Sequence, residues 1–123
     1  MKAFKLKHAI PELSQIGSVA ELGATVVDGD PQAAVATIYG KPGDALTCGL
    51  FSATQGSFRM TSPFTEHATV LEGVVDITDD ASGKTERYQA GDGWFIRQGT
   101  VTTWKVLSGR MVKHYLAQRE NVS

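Results

Sequence analysis

Imidazoles and thiols are scarce in this sequence: His8, His67 and His114 are its histidines and Cys48 its one cysteine. A lone cysteine closes no internal disulfide and fits a reducing compartment, so we expect a cytoplasmic protein. An excess of either charge is also lacking. Lys and Arg total 12 against 13 Asp and Glu, a net charge of -1. That balance gives no basic field for a phosphate backbone and argues against nucleic-acid binding. No apolar run approaches the ~18 residues of a membrane span. The cationic start, Met1 to Lys7, is not followed by an apolar stretch of signal-peptide length. The 123 residues, 41% hydrophobic and 20% charged, suffice for one domain with its own core.

What the chain does hold is a series of short β-prone runs. They cover Val35–Tyr39, Leu46–Ala53, Ser57–Met60, Ala68–Thr78, Thr85–Tyr88, Gly93–Arg97, Thr102–Leu107 and Met111–Ala117. Turn residues separate them: Lys41-Pro42-Gly43-Asp44, Asp79 to Gly83, Gly91-Asp92-Gly93 and Ser108-Gly109-Arg110. Strands repeating every 8–12 residues or so predict an all-β sandwich or barrel. The N-terminal third differs. Pro11 as a start and Gly17 as a stop predict one or two helical turns within His8 to Gly17. Val19 to Val27 reads as a short strand or an irregular arm. We therefore expect an N-terminal arm over 1–33 that packs on or swaps into the domain, a barrel over 34–118, and a tail over 119–123.

Several motifs, in order, carry a resemblance. The run Gly49 to Arg59 is followed by Glu66, by Val70-Leu71-Glu72-Gly73, by Ala90-Gly91-Asp92 and by Gln98-Gly99. The end, Thr103 to Val106 and Val112 to Tyr115, completes the series. Together they resemble the small RmlC-like cupins related to ureidoglycine aminohydrolase and ethanolamine-utilisation proteins. The resemblance implies a double-stranded β-helix, or cupin jelly roll, with at most one short helix.

Metal-binding cupins set three imidazoles and a carboxylate inside the barrel to hold a divalent ion. Glu66 fits the carboxylate position. The paired histidine positions fall on Met60 and Ser62, or on Arg59 and Thr61 in the longer register. In the second motif Arg97 replaces proline, Gly99 is kept and Thr102 replaces histidine. No imidazole stands in any of these places, so we expect no metal and no other cofactor. A rearranged site from Glu66, His114 and His67 is the alternative; His8 lies outside the matched region and is expected to be solvated.

If the motif register holds, Met60, Ser62, Glu66, Thr102 and Trp104 line the interior. Trp104 either walls a pocket or fills the barrel, needing then one partner for its indole N–H. Arg59 holds a ligand carboxylate or, as we expect, pairs with an acidic surface neighbour. Lys113 and Tyr115 share a face opposite His114, and period two alone does not say which side is inward. An inward Lys113 near Glu66 makes a structural ion pair or an acid–base couple. Cys48 reads as a small buried hydrophobe. One of Trp94 and Phe95 points outward, which suggests a homodimer contact. The expected role is metal-free binding of a small polar metabolite. An aminohydrolase- or isomerase-like enzyme using Glu66 with Lys113, His114 and Tyr115, and a structural module with a filled barrel, are the alternatives.

Overall fold

The computed structural model describes residues 1–6 and 10–120; His8, with its expected solvation, lies outside them. Nine strands and one 3₁₀ turn make up the described chain. The spine is an antiparallel pair of long strands, β4 (Leu46–Thr61) and β9 (Val101–Gln118). Thr54 faces Arg110 and Gly56 faces Val106, so Gln55 alone stands against Leu107 to Gly109. This bulge divides the spine into two halves.

On one half the order is β1 (Ser14–Ser18), β3 (Gln32–Tyr39), β4, β9, β5 (Thr65–Glu72) and β8 (Gly93–Ile96). On the other half β2 (Thr25–Asp28) pairs with β4, β6 (Val74–Asp79) pairs with β9, and β7 (Lys84–Gln89) lies beyond β6. The two faces enclose a core that includes Phe58, Val70, Val75, Trp104, Val106 and Met111. The architecture is the all-β jelly roll that the motifs imply. No helix among the described residues is long and apolar enough to cross a membrane.

The runs of the sequence map onto these strands with three differences. Leu46–Ala53 and Ser57–Met60 are one strand, as are Thr102–Leu107 and Met111–Ala117, because the polar interruptions form a bulge and not a turn. The single run Ala68–Thr78 is two strands that reverse at Gly73. The helical turns expected before Gly17 do not form among the described residues. Instead Ser14–Ser18 pairs with β3, and Gly17 sits at an irregularity in that pairing. Strand pairing lets Leu13 pack with Ala34, Leu50 and Val112 on the outer side of the sheet, where Leu6 and Ile10 add cover. The helical segment lies later, at Val19–Leu22, where the Ser18 hydroxyl accepts from the Ala20 N–H at 3.2 Å. Val19, at its start, is buried in the main core.

Inward-facing positions on β9 are even before the bulge (Thr102, Trp104, Val106) and odd after it (Met111, Lys113, Ala117). On β4 the same switch separates Phe58 from Ala53. The bulge thus brings Trp104 and Lys113, nine residues apart, to one interior.

Candidate functional site

The interior holds a cavity of about 320 Å³, within the range of small-molecule sites. Glu66 of β5 and Lys113 of β9 meet at its wall. The Lys113 Nζ donates to Glu66 Oε1 at 2.9 Å and to Oε2 at 2.7 Å. The two side chains are 9% and 4% exposed, so this ion pair is sheltered from water. Ala68 is the next inward position on β5 and is buried. From β8, Trp94 donates its indole N–H to Glu66 Oε1 at 2.8 Å. Aromatic rings enclose the ammonium: Trp104 at 4.9 Å, Phe51 at 5.0 Å and Trp94 at 5.6 Å from ring centroid to Nζ. Each distance lies within cation–π range.

Trp104 has both roles the sequence allows. It lines the cavity, stacks on Phe58 at 5.8 Å and meets Trp94 edge-on at 5.2 Å. Its N–H donates to Thr102 Oγ1 at 2.8 Å, which satisfies the buried indole. Met60, Ser62 and Tyr115 also line the cavity. The Ser62 hydroxyl donates to the Phe64 carbonyl at 2.6 Å. Burial raises the Tyr115 pKa, with the charges of Glu66 and Cys48 adding to it; the phenol therefore keeps its proton.

Two interior candidates are corrected. Arg59 points away from the cavity and pairs with Asp80 through Nε and Oδ2 at 2.7 Å, the surface partner being the expected alternative. Its neighbours Phe58 and Met60 take the inward positions. His114 faces outward, since Lys113 and Tyr115 are inward, and lies against the ring of Phe4 at 5.0 Å. His67 is exposed on the same outer side, in a cross-strand row with Leu116 and Phe95. The rearranged metal site therefore fails on geometry: Glu66 is inside, the two histidines outside. Among the described residues no group of three His, Cys, Asp or Glu side chains could hold an ion.

The donors at the motif positions fit a divalent cation poorly. Met60, Ser62 and Thr102 supply a thioether and two hydroxyls, and both Glu66 oxygens already accept from an ammonium. A second cation on that carboxylate would sit against a fixed positive charge.

Sequence reasoning missed Phe51 and the Gly40–Asp44 loop, which border the cavity, and Trp94, which stands behind its wall as a partner of Glu66. Trp94 carried a usable signal. Alternation sends one of Trp94 and Phe95 inward, and the structure, with Phe95 63% exposed, makes it Trp94. The loop carried none, because its place at the cavity depends on how β3 and β4 splay.

His114 yields a separate expectation. Among the described residues its buried Nε2 has no hydrogen-bond partner. Burial, then the charge of His67, lowers its pKa from the usual 6.5. The unfolded chain thus takes up this proton at higher pH than the folded one, so stability is lost as pH falls below the unfolded value. His114→Leu should remove that part of the slope and add about 1 kcal/mol at neutral pH by eliminating the orphan nitrogen. Urea unfolding at several pH values between about 5 and 8 checks this; an unchanged slope in the variant contradicts it.

Comparison with known proteins decides the family. Residues 40–115 match the model of the EutQ-like cupin domain. The chain belongs to that family. Among solved structures, this EutQ-like cupin resembles a protein of unknown function of the DUF861 family from Pseudomonas syringae pv. tomato. The TM-score is 0.74 at 18% identity, covering 89% of this chain and 45% of the other. The chain thus spans less than half the length of that protein. It also resembles the Clostridium difficile EutQ protein (TM-score 0.61, 19% identity, 75% of this chain and 71% of the other). A putative ethanolamine utilization protein Q from Salmonella typhimurium gives 0.60 at 20% identity, over 91% and 98% of the two chains. At such identities the likeness is one of fold. No curated protein matches the chain.

Proposed function

We propose that this EutQ-like cupin binds a small polar metabolite in its barrel without a metal ion. The observation that carries the reading is the state of Glu66. In a cavity otherwise suited to a ligand, the carboxylate at the cupin metal-ligand position is engaged by Lys113 on both oxygens and by Trp94 on one. A divalent ion on that carboxylate would have to compete with the ammonium. The open volume of about 320 Å³ weighs against a barrel filled by side chains. An aminohydrolase- or isomerase-like enzyme is the second reading, favoured by Glu66, Lys113 and Tyr115 sharing one cavity. His114 drops out of that set because it faces the other way.

A thermal-shift screen of carboxylates, amides, amines and sugars, with metal analysis of the same sample, tests the proposal. A ligand well above its Kd should raise Tm by several degrees, and chelator treatment should leave the shift unchanged. A stoichiometric metal that is lost in Glu66→Gln would sink the proposal.

A further inference from the structure

We infer that the chamber's ligand is a monocarboxylate with an apolar body, its carboxylate received by the Tyr115 hydroxyl and an N–H of Lys113. The inference rests on the reading of the barrel as a binding chamber and specifies what the chamber selects. Its first support is the charge of the lining. Lys41, Lys113 and Arg119 stand against Asp44 and Glu66, an excess of one positive charge (three minus two). Glu66 is neutralised by Lys113. Asp44 is engaged in its own turn, accepting from the Lys41 backbone N–H at 2.9 Å. Among the described residues neither Lys41 nor Arg119 has a carboxylate within ion-pair distance.

The second support is the donors. An ammonium has three N–H groups, and Glu66 has only two oxygens to engage them. Tyr115 borders the same cavity, and among the described residues its hydroxyl makes no hydrogen bond. Lys113 and Tyr115 thus stand two residues apart on one strand face, both bordering the cavity. The cation site is already taken. Glu66 with the rings of Phe51, Trp94 and Trp104 would suit a ligand ammonium, and the Lys113 ammonium occupies it.

The third support is the remaining wall. Ile16, Val19, Phe51, Phe58, Phe64 and Ile96 line it with hydrocarbon. Such a surface gains from an apolar body and would leave a sugar's hydroxyls unpaired. The volume is roughly twice the ~150 Å³ that accepts benzene in an engineered apolar cavity, so a ring plus a carboxylate has space.

Titration calorimetry on the intact protein can separate charge from shape. Benzoate, benzamide and benzylamine share one shape; 4-methylpentanoate, its amide and its amine share another. At least one carboxylate should bind with Kd of roughly 0.1–1 mM, as suits about eight or nine non-hydrogen atoms. It should bind about ten-fold more tightly than its amide, and the amines should give no binding heat. Tyr115→Phe should weaken the carboxylate about ten-fold while leaving Tm near the wild-type value. An amide or amine that binds as well as its carboxylate overturns the inference and leaves the chamber reading standing. So does an unchanged carboxylate Kd in Tyr115→Phe. Silence from all six, together with a silent thermal-shift screen, overturns the chamber reading itself.

Discussion

Replacing Lys113 by methionine is expected to lower the unfolding free energy by about 3–5 kcal/mol, a drop in Tm of roughly 10–20 °C for a chain of this size. Methionine fills similar space, so the loss is electrostatic. It leaves Glu66, 4% exposed in its side chain, with the Trp94 indole as its remaining partner and no cation to offset its desolvation. Glu66→Gln should cost somewhat less, because the amide oxygen still accepts from both Lys113 and Trp94. The informative variant is the double one. In Glu66→Gln with Lys113→Met no buried charge remains, and the Trp94 N–H keeps an acceptor. Stability should return to within about 1 kcal/mol of the parent. Chemical denaturation of all four proteins gives the coupling directly. Single variants that each lose under about 1 kcal/mol would mean that water reaches the pair and that the cavity wall is wetter than its burial implies.

Gly73→Ala is the second large effect, and it acts through the backbone. Gly73 reverses β5 into β6 at φ +87°. An alanine there would place its Cβ against the Arg110 carbonyl, 2.7 Å from Ser108 Oγ and 2.9 Å from Met111 Cα. Ser108 lies in the β9 bulge, and Arg110 and Met111 follow directly after it. Ser108 ties the two segments together, accepting from the Val74 N–H at 3.0 Å and donating to the Arg110 carbonyl at 2.7 Å. The left-handed conformation costs about 1–2 kcal/mol for a residue with a Cβ, and displacing the bulge adds 1–3 kcal/mol. We expect a loss of roughly 3–4 kcal/mol. Gly83 provides the control: its φ is +74°, yet nothing lies within 4 Å of a Cβ built there. Gly83→Ala should therefore show the conformational cost alone. Equal losses for the two alanines would remove the steric part of the account.

The strands were legible because apolar alternation and turn chemistry are local. Glu66 and the cavity positions Met60, Ser62, Thr102 and Trp104 followed from motif spacing on regular strands. Legibility ended where β9 stops being regular. Ser108-Gly109-Arg110 has the composition of a turn, and only pairing with β4 makes it a bulge; the inward parity therefore changes where period two would carry it through. That is why Lys113 and His114 could not be sided beforehand. Arg59 faced a similar limit, since Asp80 becomes its neighbour only through β6 and β9. In the arm, Pro11 and Gly17 imitate helix punctuation, but a vacant edge of β3 offered Ser14–Ser18 a ladder, and tertiary pairing overrode the local signal.

Because β4, β5 and β6 each pair along one edge with β9, none of them is fully laddered until residues 101–118 have been synthesised. A nascent chain lacking that stretch exposes unmated strand edges, the surfaces most prone to aggregation. Barrel closure is consequently a late, long-range event in biogenesis, slow by the standards of helical domains of the same length, and holdase chaperones have their opportunity in that interval.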